Sequence, residues 1–358
     1  MVIQSLALWN YRNYSQFEID FHSGINFIYG RNGQGKTNLV EAIYFLTHLR
    51  SFRTAKIRNL YREKEVTASI NAQLSKQGVV HTVQIGLQSN QKKVLINQKN
   101  LNYTSDYIKN YFSLLFAPDQ LSAYKEYPLE RRNFFDRVLI LVVDQYFQRL
   151  KEFNRIKKQK NHLLRHQRGQ EVFVWNQLLA EVVPQIVRSR TRLVEQVNEN
   201  LSEIFQELTG RSDHLELCYR WDLEEKVGDD PEKLLDFLNG KLESEQSMGH
   251  MCYGPHKDDF WMTINGKKDK LFFSQGEYRI SFLALQLALN RAITDSLQFC
   301  PVILLDDIFS ELDTEVYHKT LEYISANHNQ VFITSTSIPK KFQGLGKAFQ
   351  IEQGRLVS

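Results

Sequence analysis

The sequence predicts an α/β protein of two lobes, one of them assembled from both ends of the chain. Three observations carry this. A short apolar strand runs into a glycine-rich turn and then an apolar helix at residues 25–46. A second apolar strand, ending in two aspartates, lies at 301–307. Between them, from about 119 to 210, apolar residues recur at helical spacing. In open α/β sheets ligands gather at the C-terminal ends of the strands, so the two strand motifs belong on one sheet. One lobe is therefore expected over 1–117 and 296–358, and the other over 118–295.

Composition bounds the rest. The 358 residues exceed a usual single domain of roughly 100–200. A hydrophobic share of 42% suffices for a sizeable core. The formal net charge of +4 does not by itself argue for a polyanionic partner, so the distribution of charge must decide. Cys218, Cys252 and Cys300 are odd in number and far apart, which suggests neither a disulfide framework nor a zinc site and fits a reducing cytoplasm. No signal peptide is visible. The apolar run at 138–143 falls far short of the roughly 20 residues needed to span a bilayer, so no membrane is expected.

The glycine-rich turn reads Gly30-Arg31-Asn32-Gly33-Gln34-Gly35-Lys36-Thr37 and matches G-x-x-x-x-G-K-[ST]. Leu39, Ile43 and Leu46 then follow at helical spacing. Glycines let backbone N–H groups turn inward around phosphate oxygens, and the helix N-terminus adds partial positive charge. Lys36 is expected to reach the β- and γ-phosphates of a nucleotide, and Thr37 to bind Mg²⁺. Asn38 closes the segment.

The second motif is "PVILLDDIFSELD" at 301–313. Its four-residue apolar run suits a central parallel strand. Asp306 is expected to hold the metal, and Asp307 to orient or deprotonate an attacking water. Taken alone, paired aspartates also end many strands in plain turns.

"SQGEYRISFLALQLAL" begins at Ser274. Ser274 and Glu277 form a capping box, in which each side chain satisfies a free N–H of the first helical turn. Gly276 does not belong to that motif, and in a helix it costs roughly 1 kcal/mol relative to Ala. A close approach of something negatively charged to this helix start explains it.

"RLKEFNRIKKQKNHLLRHQR" at 149–168 carries eight Lys or Arg and one acid. Such a helix face is either a solvated surface or the footprint of phosphate-backbone binding, and the near-absence of acids favours the latter. The candidate contacts are Arg149, Lys151, Arg155, Lys157, Lys158, Lys160 and Arg165, with a second basic stretch at Arg50, Arg53, Lys56, Arg58 and Arg62. Nearby, Arg132 and Asp136 are spaced to pair on a helix surface. Gly169 breaks the helical run, which predicts a short antiparallel arm, and strands are expected at 214–221 and 260–264 with Asn265-Gly266 as a turn.

The order of phosphate loop, S-x-G-x-x-R, apolar strand with two acids, then "SELD" resembles the ABC-type ATPase heads of the SMC class. Within it the chain is most similar to the RecF family of bacterial recombination-repair proteins. The strings that carry the resemblance are "NYRNY" (10–14), "GRNGQGKTN" (30–38), "SFRT" (51–54), "ERR" (130–132), "GPHKDD" (254–259), "SQGEYR" (274–279) and "LLDDIFSELD" (304–313), and they span the chain. It departs from ABC signatures in having Glu277-Tyr278 where Gln is usual. Thr334, Ser335 and Thr336 stand where transporters carry His, and Tyr127 precedes Pro128 where a small polar residue is common.

The resemblance implies an ABC-type ATPase head with ATP and Mg²⁺ as ligands. It also implies an ATP-dependent homodimer. Ser274, Gln275, Gly276, Glu277 and Arg279 would then act in trans on the partner's nucleotide. It further implies binding to single- and double-stranded DNA at gaps or junctions, cooperation with RecO and RecR in loading RecA, and slow hydrolysis through Asp307 and Lys36 that resets the dimer. The alternative is an SMC-like DNA-tethering head in which hydrolysis is secondary. A transporter subunit is disfavoured by the missing His and the basic arm. A GTPase is disfavoured because no N-K-x-D string is present. Two further expectations concern single strings: Gln120 as a metal-sensing glutamine, and His256, Lys257 and Asp258 either as a relay to the arm or as a plain Gly-Pro turn.

Overall fold

The computed structural model describes residues 1–102, 104–166, 169–221, 223, 227–228, 230–268, 272–307, 313–327, 329–337 and 346–357. Residues 308–312 of the "LLDDIFSELD" string, and Arg168 of the basic run, lie outside them. The chain divides into two compact units. The first comprises Met1–Ser122, Glu207–Gly210 and Ile293–Ser358; the second comprises Ala123–Gln206 and Arg211–Ala292. Two of the unit boundaries fall within helices α3 (Pro118–Glu126) and α9 (Gln275–Leu297), whereas the sequence predicts boundaries at 117/118 and 295/296. A helix that continues across a boundary leaves no change of composition to mark it.

Two sheets build the first unit. One is antiparallel, with β2 (Tyr14–Asp20), β1 (Val2–Tyr11), β4 (Thr67–Lys76), β5 (Val79–Gln88), β6 (Gln91–Ile96) and β7 (Lys99–Asn100) in that spatial order. Its strands alternate, as β4 shows with Ala68, Ile70, Ala72 and Leu74 buried and their neighbours more exposed. None of the sequence motifs falls on these strands apart from "NYRNY", so the sheet is an addition to the predicted architecture.

The other sheet orders β15 (Arg355–Leu356), β14 (Gly346–Glu352), β3 (Ile25–Tyr29), β13 (Val331–Ser335), β12 (Val302–Leu305) and β8 (Ser113–Phe116). All its pairings are parallel except β14 with β15. β3, β12 and β13 are continuous buried runs, as expected of parallel strands covered on both faces. Helix α1 (Lys36–His48) packs into the core, with Leu39, Ile43 and Leu46 fully buried, and the short helix α2 (Thr104–Asn110) precedes β8. β13 lies between the strand that feeds the phosphate loop and the strand that carries the acids, so its C-terminal end reaches both.

The second unit is mainly helical. Pro128 opens α4 (Pro128–Val142), where its missing N–H costs nothing. Helices α5 (Tyr146–Arg165) and α6 (Gly169–Thr209) form the arm, and α6 runs for 41 residues, about 60 Å. β9 (Leu215–Arg220), β10 (Asp259–Ile264) and β11 (Lys267–Lys268) make a small antiparallel sheet whose β10–β11 turn is Asn265-Gly266, both at positive φ. Helices α7 (Pro231–Gly240) and α8 (Leu242–Met248) lie between β9 and β10 in sequence. An aromatic cluster fills the unit's core: Phe135 stacks on Phe260 at 4.2 Å and Tyr124 meets Phe282 at 4.9 Å.

The expected surface pair of Arg132 and Asp136 does not form. Asp136 instead accepts from Arg190 (2.9 Å) and from the Tyr146 hydroxyl (2.6 Å), while Arg132 donates to the Asp258 carbonyl at 2.6 Å. Both side chains turn inward, because the buried Arg190 guanidinium demands more carboxylate than one partner supplies.

Candidate functional site

The phosphate loop is shaped by close approaches that only glycine allows. A Cβ on Gly30 would lie 2.4 Å from the Ile351 carbonyl oxygen of β14, and Gly30 sits at φ 150°. A Cβ on Gly35 would lie 2.6 Å from Asn13 Nδ2. Asn13 supports the loop from beneath: it donates to the Gln34 carbonyl (2.9 Å) and accepts from Asn38 Nδ2 (2.8 Å). The β14–β15 turn holds the other side, with Gln353 N–H on Gln34 Oε1 and Gly354 N–H on the Gln34 carbonyl. Lys36 reaches back across the loop and donates to the carbonyls of Gly30 (2.7 Å) and Arg31 (3.0 Å). Burial lowers its pKa, and the Asp307 and Asp306 carboxylates oppose that shift.

Asp306 ends β12 beside this loop. Its Oδ1 accepts from Thr37 Oγ1 (3.1 Å) and from Thr334 Oγ1 (2.8 Å). Thr334 Oγ1 in turn accepts the Asp307 N–H at 2.9 Å. Asp307 stands at φ 53°, a left-handed conformation that Asp tolerates and that this hydrogen bond helps to hold. Desolvation raises the pKa of Asp306, against its hydroxyl donors, and the neighbouring Asp307 charge adds to the rise. A divalent cation would reverse that cost. Thr37 Oγ1 and Asp306 supply hard oxygen donors on adjacent elements, which suits Mg²⁺. Among the described residues no cluster of His, Cys, Asp and Glu suggests a second kind of metal site.

One residue that shapes the site, Glu41, lies in no string the sequence singles out. Glu41 of α1 is fully buried, held by a two-pronged bond from Arg12 (2.7 Å each), by the Ser51 hydroxyl (2.5 Å) and by Arg53 at 3.6 Å. Arg53 also donates to Asn38 Oδ1. The "NYRNY" and "SFRT" strings thus meet on α1. The one signal the sequence offers is a Glu within the otherwise apolar run 39–46.

The Ser274 stretch begins α9 in the second unit. The capping box is formed: Ser274 N–H donates to Glu277 Oε2 (3.0 Å), and Glu277 N–H donates to Ser274 Oγ (3.2 Å). The Ser274 hydroxyl also bonds Glu277 Oε2 at 3.0 Å. Arg211 Nη1 lies 3.1 Å from Glu277 Oε1. These bonds, the Ser274 N–H first, hold the Glu277 carboxyl below its ordinary range. A Cβ on Gly276 would meet nothing within 4 Å. Gln275 and Arg279 lie on the same first turns.

On the arm, Lys151, Arg155, Lys158 and Arg165 are exposed, and with His162 they follow i, i+4, i+7 spacing along one face about 21 Å long. Arg149 and Lys157 are half-buried, with Lys157 over the Phe153 ring. Lys160 corrects the expectation: it is fully buried and pairs with the equally buried Glu245 of α8 at 2.6 Å. It points to the inner face of α5, with Phe153, Ile156 and Leu164. In the second basic stretch, Arg53 is engaged in the first unit as described, and Lys56, Arg58 and Arg62 are exposed.

The "GPHKDD" string is a buried junction of the second unit. Asp258 accepts from Arg190 Nη1 (2.7 Å) and from the Tyr219 hydroxyl, and Arg131 grips Asp259 with two bonds of 2.8 and 2.9 Å. Burial pushes Asp258 up to about 6 and His256 down to about 4. Gln120 is half-buried on α3.

Comparisons with known proteins bear on the family and the fold. The family described as the RecF/RecN/SMC N-terminal domain matches residues 2–353. The DNA replication and repair protein RecF of Alkaliphilus oremlandii is 32% identical over 94% of this chain and 93% of its own length. That of Staphylococcus epidermidis is 32% identical over the full length of both chains. A solved structure of the recombination mediator protein RecF with ATPrS, from the RecFOR pathway, superposes with a TM-score of 0.86 at 28% identity, covering 99% of this chain and 97% of that one. An SMC head bound to the C-terminal winged-helix domain of ScpA shares the fold, with a TM-score of 0.62 at 15% identity. The chain belongs to the RecF family of SMC-type ATPase heads.

Proposed function

We propose that this chain is an ATP-dependent DNA-binding protein of recombinational repair and replication, whose slow, DNA-dependent hydrolysis of ATP acts as a switch. The observation that carries the reading is the cluster of Thr37, Asp306 and Thr334 at the mouth of a glycine loop. It gathers a metal-binding hydroxyl, a carboxylate and a polar strand end at the point where a γ-phosphate would lie. RecF structures described with ATP and with ATPrS support the nucleotide assignment.

In this reading the backbone N–H groups of 30–37 and Lys36 hold the phosphates. Thr37 and Asp306 would hold Mg²⁺, which would supply charge neutralisation to the phosphoryl oxygens. Asp307 accepts a proton from the attacking water. Ser274 and Gly276 of a second copy complete the γ-phosphate site, so nucleotide joins two copies only in the closed state. The exposed face of α5 contacts DNA phosphates, which gives little sequence preference. The same reading extends to single- and double-stranded DNA at gaps or junctions, and to cooperation with RecO and RecR in loading RecA, as the resemblance implies. Among the described residues no helix is long and apolar enough to cross a membrane.

Sedimentation with and without ATP tests this, repeated with Lys36→Met and Ser274→Arg. Association in the wild type only, and only with ATP, is expected. An oligomeric state indifferent to ATP would refute the clamp. Asp307→Asn separates the switch from a tethering head: trapped ATP-bound dimers are expected, and an unchanged rate of dissociation would favour the tether.

A further inference from the structure

The capping box at Ser274 engages more groups than a helix cap requires. Glu277 Oε2 accepts both the N–H and the hydroxyl of Ser274, and Glu277 Oε1 faces Arg211 at 3.1 Å. Arg211 is also held by Asp213 at 2.5 Å, and Asp213 is in turn bonded by Asn265 Nδ2 at 2.7 Å. Arg211 lies two residues beyond Thr209, and the β10–β11 turn supplies Asn265. One carboxylate therefore occupies the serine hydroxyl, the helix N-terminus and an arginine at once. Those three groups, a hydroxyl donor, a helix N-terminus and a guanidinium, are the set that recognises a phosphate oxygen.

We infer that Glu277 is an internal stand-in for phosphate, a latch, and that Arg211 is a phosphate-binding residue of the trans site. This rests on the reading that Ser274 meets the nucleotide of a second copy. When the triphosphate arrives, its γ-oxygens replace the Glu277 carboxylate on Ser274 and on Arg211. Glu277 then turns to solvent, which its partial exposure permits. Association must displace an existing set of bonds, so closure is slower and weaker than the contacts alone would make it. Arg211 moves from a carboxylate to a phosphate without losing its salt bridge to Asp213.

The test is ATP-dependent association measured by sedimentation, with thermal denaturation run alongside, for Glu277→Gln, Arg211→Ala and Arg211→Lys. Gln keeps the cap geometry and removes the charge. Glu277→Gln is expected to tighten association by on the order of tenfold, and Arg211→Ala to weaken it by a similar factor, with Arg211→Lys partly restoring it. A role confined to capping predicts no change in association from either variant, or losses in both that track stability. Either result, in a wild type that does associate with ATP, overturns the latch alone. A wild type that never responds to ATP overturns the trans reading, and the latch with it.

Discussion

Thr334 Oγ1 donates to Asp306 at 2.8 Å and accepts the Asp307 N–H at 2.9 Å, so one hydroxyl on β13 orients both acids at the end of β12. Thr334→Val removes both bonds in a nearly isosteric way. It leaves a buried carboxylate with one donor fewer and frees the Asp307 backbone. ATP hydrolysis should fall by about tenfold or more, with Thr334→Ser largely restored. Steady-state hydrolysis across a Mg²⁺ titration measures it.

Gly276 has room for a side chain within its own chain. Gly276→Ala should therefore stabilise the isolated protein, by up to about 1 kcal/mol. ATP-dependent association should nonetheless weaken by on the order of tenfold. Thermal denaturation and sedimentation read the two effects separately. Unchanged association would mean that no surface approaches this turn.

Two lysines two residues apart on α5 should behave differently. Lys158→Ala removes an exposed charge and should lower the slope of log affinity against log salt for DNA by about 1, at little cost to folding. Lys160→Ala should leave that slope unchanged and destabilise the fold by ~3–5 kcal/mol, because Glu245 is left buried without its partner. DNA binding at several salt concentrations, with urea denaturation, separates them.

The "GPHKDD" segment should show two opposed pH effects. His256 is held near 4, below its ordinary range, so the native state binds fewer protons than the unfolded chain between about pH 4 and 6.5. Its contribution is intact above that window and is lost as pH falls through it. Asp258 is held near 6, so the native state binds more protons between about pH 4 and 6, and its contribution grows as pH falls. Each amounts to ~3 kcal/mol at most. His256→Gln should flatten the acid loss of stability and Asp258→Asn should steepen it. Urea denaturation at pH 7, 6 and 5 checks both.

The local strings are legible in the sequence because their chemistry is set by neighbours along the chain. Gly30 to Thr37, the acids after an apolar strand, the capping box three residues wide and the lysines at helical spacing all derive from backbone periodicity and short-range bonds. Tertiary structure decided what sequence distance hides. Strand order put Thr334 between the phosphate loop and Asp306, and the β1–β2 turn brought Asn13 under Gly35. The packing of α5 took Lys160 out of the basic face and gave it to Glu245, and the buried Arg190 drew Asp136 away from Arg132. A charge pattern states how often a cation recurs along a helix. Which cations face water is decided by the elements packed against that helix, because a buried charge persists only where another part of the chain supplies its partner.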